Sequence, residues 1–414
     1  MIDFKKFELE NGMKVIVHKD SSTPIVAMNI LYDVGARDED PEKTGFAHLF
    51  EHLMFGGSEN IPKYDLPLEN AGGDNNAFTN NDITNYYLTI PKQNLELAFW
   101  LESDRMNQLA FSTKSLDVQR NVVVEEFKQS YLNQPYGDVW LLLRPFAYKV
   151  HPYQWSTIGK DISHIEDATM EDVKDFYNRF YNPANAIMVI AGDVEVDEIK
   201  LLSEKWFGPI SNKGSFVRDL PVEPLQTEAR KLSVERDVPI DAIYKAYHIC
   251  SRKDPDYYAI DLISDILSNG NSSRLYIKLV KEQKLFSDIN AYITGDIDAG
   301  LFIITGKLIE GIKMEDAENA ILRELEMLKE TTVEDMELQK VKNKIESSLI
   351  FSEMSALNKA MNLAYSELLG DANLINLEID KYSAVKTADI SRVSSNVFRD
   401  ENSSTIYYYA KKQI

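Results

Sequence analysis

One cysteine in 414 residues, Cys250, cannot close an intramolecular disulfide, so the fold does not depend on an oxidising compartment, although it is compatible with one. Basic residues are outnumbered as well. Against 45 lysines and arginines stand 66 aspartates and glutamates, and the formal charge of −21 argues against nucleic acid or an anionic membrane as the main partner. No stretch approaches the roughly 18 consecutive apolar residues of a membrane span, and the amino terminus, MIDFKKFELENGMKVIVHKD, lacks a charged head followed by an apolar run. The expectation is a soluble chain, cytoplasmic as it stands, or periplasmic if an export signal has been removed.

The composition that remains is globular. Hydrophobic residues make up 44% and charged residues 27%, enough apolar material for a core and too little bias for disorder. The length exceeds what one core usually serves and points to two or three domains. Asn11-Gly12 reads as a hairpin turn ahead of the β-rich run Met13 to Val17, and TPIVAMNILYDVGARDED as a second strand. GGDNNAFTNNDITNYYLTIP, residues 72–91, reads as a loop passing into a strand, and NPANAIMVIAGDV as a buried one. The breakers Pro209, Pro221 and Pro224 place a linker at 216–232. Beyond it the element order starts again, and laying Gly270 on Gly57 sets Asp261, Ser264 and Asp265 opposite His48, Glu51 and His52. The division expected is 1–215, a 216–232 linker, and 233–414 as a second copy.

Histidine is scarce, with six in the chain, yet two stand four apart in TGFAHLFEHLMFGG, residues 44–57. A helix from Thr44, a candidate N-cap, to the Gly56-Gly57 stop puts His48, Glu51 and His52 on one face, because positions i, i+3 and i+4 are neighbours. Two imidazoles can supply two of the three protein ligands of a catalytic zinc, and the glutamate between them then sits as a general base beside the metal's water. The order H-x-x-E-H inverts the commoner H-E-x-x-H. The same residues, beside Leu49, Phe50, Leu53, Met54 and Phe55, also fit a polar cluster at the edge of an apolar core. A further ligand has to come from elsewhere, and Glu125 and Glu126 follow the apolar run Val122 to Val124 on a helix expected to run from a Ser115 cap to the break at Pro135. An exposed acidic face is the alternative for that pair.

Several stretches together resemble the inverted-motif zinc peptidases that include pitrilysin, insulin-degrading enzyme and the mitochondrial processing peptidase. They are GFAHLFEHLMFGGSEN, GGDNNAFTNNDITNYY, RNVVVEEFKQS, HPYQWSTIG, FYNRFYNPANAIMVIAGDV and LSNGNSSRLYIKLVKEQKLFSDINAY, and they span nearly the whole chain. The resemblance implies an α+β fold of two homologous domains, each an antiparallel sheet packed with helices. It makes His48, His52 and Glu126 the ligands of one Zn2+ per chain and Glu51 the base, with Glu125 set aside. It puts Asn76 and Ala77 on an edge strand that pairs with extended substrate. The family's glutamate seven residues before the third ligand is here Gln119, which removes one negative charge from around the metal.

In self-sufficient members of that family the second half supplies an arginine and, seven residues on, a tyrosine to the site. Alignment puts Val280 and Ser287 at those positions, and neither can donate in that way. Arg274 and Tyr276 in SSRLY match a feature shared by active and inactive members, so Arg274 is expected to bridge within its domain. The resemblance therefore implies a zinc-bearing peptidase subunit acting on short or unfolded peptides, completed in a heterodimer by a homologous subunit that lacks zinc and supplies the arginine and tyrosine. A non-catalytic scaffold or a peptide-binding member of the same fold is the alternative. His151 is expected to contact substrate or to shape a turn, and His18, His164 and His248, which lack partner spacing, to be structural or exposed.

Overall fold

Asn11-Gly12 does turn the chain. Gly12 sits at φ 87° between strands β1 (Lys5–Glu8) and β2 (Lys14–Lys19), which pair antiparallel. The computed structural model to which these elements belong describes residues 1–214 and 216–411; residue 215, at the expected first boundary, and the end of the expected second domain lie outside it. The remaining strands are β3 (Ile25–Tyr32), β4 (Asp74–Thr79), β5 (Thr84–Pro91), β6 (Ala186–Gly192), β7 (Arg230–Arg236), β8 (Ala242–His248), β9 (Phe286–Ile293), β10 (Leu301–Leu308) and β11 (Ser403–Ala410). Five helices matter below: α1 (Phe46–Leu53), α2 (Thr113–Phe127), α3 (Val139–Ala147), α4 (Tyr257–Ser268) and α5 (Ala356–Leu369).

Two sheets result, in the orders β1-β2-β6-β3-β5-β4 and β7-β11-β8-β10-β9. Without β1 the two orders are the same path. Each opens with a parallel pair, β2 with β6 and β7 with β11, and continues antiparallel to an edge, β4 in one and β9 in the other. The fold is α+β with an internal repeat, as expected from the restart of element order. The stretch at 72–91 is a hairpin and not a loop leading into one strand. Its polar first arm, DNNAFT, is the edge strand on which the resemblance places Asn76 and Ala77; the residue pattern alone does not mark it, because an edge strand needs no continuous apolar face.

The compact units are discontinuous in sequence. One comprises residues 1–130, 155–220 and 350–377, the other 131–154, 221–349 and 378–411 of the described chain. Relative to a division into 1–215 and 233–414, residues 131–154 and 350–377 change sides. The physical reason lies in the helices they carry. In the first unit Ala360, Leu363 and Ala364 of α5 pack on Ile16, Ala27, Leu31, Val189 and Ala191, and small side chains let helix and sheet approach closely. In the second unit Leu143 and Ala147 of α3 pack on Ala242, Ala246, Ile303 and Ile406.

The expected linker is tied down at both ends. In the first unit Arg218 donates to both carboxylates of Asp33 and Asp38. In the second, Glu223 accepts the backbone N–H groups of Lys149, Val150 and His151, and Gln226 donates to the Ser403 carbonyl at 2.8 Å.

Candidate metal centre

The helix that carries the motif is shorter than its flanking signals suggest. α1 has eight residues, with Gly45 as N-cap at φ 90°, and Gly57 at φ 103° after the last turn. Thr44 does not cap it, because the Thr44 hydroxyl accepts the Lys160 N–H at 2.9 Å and lies 2.9 Å from His164 Nδ1. Phe46, Ala47, Leu49, Phe50 and Leu53 form the buried face, and the Phe50 ring stacks on Phe176 at 4.9 Å and on Tyr181 at 5.2 Å. His48, Glu51 and His52 are left on the opposite, partly open face.

α1 packs against α2 and β4. α2 begins three residues earlier than expected, with Ser112 as its N-cap accepting the Ser115 N–H at 3.0 Å, and it ends at Phe127, where the turns widen into a π-helical segment, Lys128–Leu132. Glu126, in its last turn, is thereby brought to α1. Its Oε2 lies 3.7 Å from His48 Nε2 and 3.6 Å from His52 Nε2, and all three ligand atoms fall within 4.8 Å of one another. Glu125 points elsewhere and accepts from Lys128 Nζ at 2.8 Å. The pair that the sequence left open is thus separated by geometry.

These distances suit a shared ion better than direct contact. They exceed the usual reach of an N–H···O hydrogen bond, about 2.7–3.2 Å. Zinc with nitrogen and oxygen ligands at about 2.0–2.2 Å, arranged tetrahedrally, requires donor separations near 3.4 Å. The donor chemistry also fits. Burial pushes the His48 imidazole down to about 4, with Glu126 opposing, so the ring is neutral near pH 7 and offers a lone pair. Interaction with His52 holds the Glu126 carboxyl below its ordinary range, so it is ionised. The other ring nitrogen of His48, Nδ1, is buried and meets no hydrogen-bond partner among the described residues.

Glu51 shares the open face and, among the described residues, belongs to no trio of metal-ligating side chains. Burial pushes its carboxyl above the ordinary range, opposed by hydrogen bonding from Thr79 at the end of β4, a residue that no motif or spacing singles out. β4 is the edge of its sheet, and Asp74, Asn76 and Phe78 are exposed along it. The Asn76 side chain accepts the Ala77 N–H at 2.8 Å, so this amide is turned away from β5 and toward the free edge. Gln119 lies two turns before Glu126 on α2, half exposed.

The other sequence candidates have structural partners. His151, in the second unit, accepts the Tyr153 N–H at 3.2 Å and lies 3.5 Å from Asp298, and its carbonyl closes a turn with the Gln154 N–H, which fits turn shaping. His18 contacts the Asp3 carbonyl at 2.6 Å, and His248 contacts that of Ala147 at 3.1 Å. Arg274 forms a two-pronged ion pair with Glu337 at 2.9 and 2.7 Å. On α4, Asp261 accepts from Tyr382 at 2.6 Å and Asp265 from Asn269, so the counterpart of the motif is spent on packing. Val280 is half-buried against the second core, and the Ser287 hydroxyl donates to the Lys307 carbonyl at 3.1 Å.

Comparison with known proteins gives the family. Residues 14–158 match the family model described as insulinase, peptidase family M16, and residues 167–345 match the peptidase M16 inactive domain. The chain is 30% identical over 405 residues to the zinc protease PqqE of Helicobacter pylori, covering 96% of this chain and 91% of that protein. It is 24% identical over 363 residues to the mitochondrial-processing peptidase subunit beta of Saccharomyces cerevisiae, covering 83% and 78%. A crystal structure of a protease from Helicobacter pylori superposes with a TM-score of 0.92 at 29% identity, over 99% of this chain and 100% of the other. The chain belongs to the insulinase family of peptidases, family M16.

Proposed function

We propose that this chain is the zinc-bearing subunit of a metalloendopeptidase that hydrolyses short or unfolded peptides. The observation that carries the reading is the convergence of His48, His52 and Glu126 from two helices onto one ion-sized gap, with Glu51 on the same helix face. His48, His52 and Glu126 would hold the ion. When bound, zinc supplies Lewis acidity that polarises a carbonyl and makes a neighbouring water more acidic.

The chain's own residues supply the rest. Glu51 takes a proton from the attacking water at a carboxylate oxygen and returns it to the leaving amine, and a carboxyl raised by burial is suited to both directions of that transfer. The free edge of β4, where the Ala77 amide exchanges the Asn76 side-chain oxygen for a peptide carbonyl, binds an extended peptide through main-chain hydrogen bonds, which accept many sequences. What the chain does not supply at Val280 and Ser287 is a pair of donors for the developing oxyanion and the substrate. We therefore assign those donors to a second, homologous subunit that lacks zinc.

The same substitutions, with Gln119, favour a second reading in which the chain holds peptides without cutting them. The test is cleavage of unstructured peptides by the zinc-loaded chain, alone and with proteins that copurify from its source. Cleavage that rises on adding a homologous partner is expected. Equal cleavage by the chain alone removes the partner from the proposal, and peptide binding without cleavage in every combination favours the second reading.

A further inference from the structure

We propose that Glu39 is the positioning residue of the metal-site helix: its carboxyl group fixes the first turn of α1 and, through it, the bearing of His48 on Glu126. The proposal rests on the reading of His48, His52 and Glu126 as a metal site.

A helix begins with backbone N–H groups that have no partner within it, and a side chain at the N-cap commonly takes one of them. α1 cannot use that solution. Position 45 is a glycine at φ 90°, and a Cβ there would lie 2.7 Å from the Ile158 carbonyl oxygen and 2.8 Å from Ile165 Cδ1. The Thr44 hydroxyl is engaged by Lys160 and His164, and the first turn of α1 holds no acidic residue. Glu39 fills the gap from six residues upstream. Its Oε2 accepts the Gly45 N–H at 2.9 Å and its Oε1 accepts the Ala47 N–H at 2.8 Å, and the residue is 6% exposed.

Glu39 is itself braced. It follows the 3₁₀ turn Ala36–Asp38, where the Ala36 carbonyl accepts from the Trp155 indole at 2.8 Å. Asp38 accepts from the Gly35 N–H at 3.0 Å and from Arg218 Nε at 2.7 Å. The carboxyl group therefore reaches the helix from a fixed turn. Ala47, one of its two contacts, immediately precedes His48, whereas Glu126 stands on a separate helix. Any play at the start of an eight-residue helix changes the 3.7 Å separation of His48 from Glu126 directly.

Glutamine at this position keeps the shape but offers one acceptor, so one of the two amides meets an N–H group instead. Glu39→Gln is expected to weaken zinc affinity by about tenfold, as loss of an outer partner of a ligand does, measured by competition with a chromophoric chelator. In metal-free protein, amide exchange of Gly45 or Ala47 should speed up in the variant while α2 keeps its protection. Faster exchange with unchanged zinc affinity overturns the positioning role, and unchanged exchange overturns the anchor as well. Should the variant fail to fold, the metal-free wild type decides: protected Gly45 and Ala47 amides support the anchor, and freely exchanging ones overturn it. A wild-type chain that binds no zinc sinks the metal-site reading instead, and the exchange measurement still judges the contact of Glu39 with α1.

Discussion

Replacing Asp20 by asparagine tests how the segment 350–377 is held in the first unit. Asp20 follows β2 and accepts from Lys359 of α5, and both side chains are largely buried, at 14% and 11% exposure. The Lys359 ammonium beside Asp20 holds its carboxyl far below the usual carboxylate range. Asparagine keeps the acceptor for the Ser22 N–H but strands the lysine charge. Breaking a buried pair by removing one partner costs about 3–5 kcal/mol, and the remaining exposure of Lys359 places the expected loss near the lower end, about 3 kcal/mol. The sign of the pH dependence follows from the depressed folded-state value. The pair contributes fully above the unfolded carboxyl value, about 3.9, and its contribution is lost as the pH falls through the folded one. The difference between wild type and Asp20→Asn should therefore be largest near neutrality and shrink toward pH 2. Urea unfolding followed by tryptophan fluorescence reports on the relevant unit, because Trp100, Trp155 and Trp206 lie in it and only Trp140 lies in the other. A loss below about 1 kcal/mol at neutral pH, the range of an exposed pair, or one that is independent of pH, would refute the reasoning.

Three further outcomes follow from the geometry. Glu51→Gln should retain zinc and peptide binding while kcat falls by about 10²- to 10⁴-fold, the usual worth of a general base, and unchanged turnover would remove Glu51 from its role. Leu363→Ala, at a fully buried position where α5 meets the sheet, should cost about 2–5 kcal/mol in urea unfolding of the first unit. Gly45→Ala should destabilise the protein by more than about 1 kcal/mol, since it meets both a left-handed φ and the Ile158 carbonyl, and thermal unfolding reads this directly.

How far the molecule could be read from its sequence varied with the range of the forces involved. His48, Glu51 and His52 were legible because their relation is local, set by helical spacing within one short segment. The choice of Glu126 over Glu125 needed either resemblance or coordinates, since adjacent residues on a helix point about 100° apart and spacing does not say which one faces α1. Thr44 was a sound capping residue by local rules and was drawn off by residues 160–164, which left the cap to Glu39 through a loop that no periodicity describes. The exchange of α3 and α5 between halves was hidden for a related reason: amphipathic spacing marks which face of a helix is buried and not which sheet receives it. The repeat was visible in element order, and the shared strand path is what gives that order meaning.

The most direct measurement is zinc content and affinity of the purified chain beside Glu126→Ala and Glu125→Ala. One tightly held zinc ion in the wild type, retained in Glu125→Ala and lost or severely weakened in Glu126→Ala, is the expected result. Full affinity in Glu126→Ala, or no zinc in the wild type, would contradict the central claim that three side chains from two helices close on a single ion.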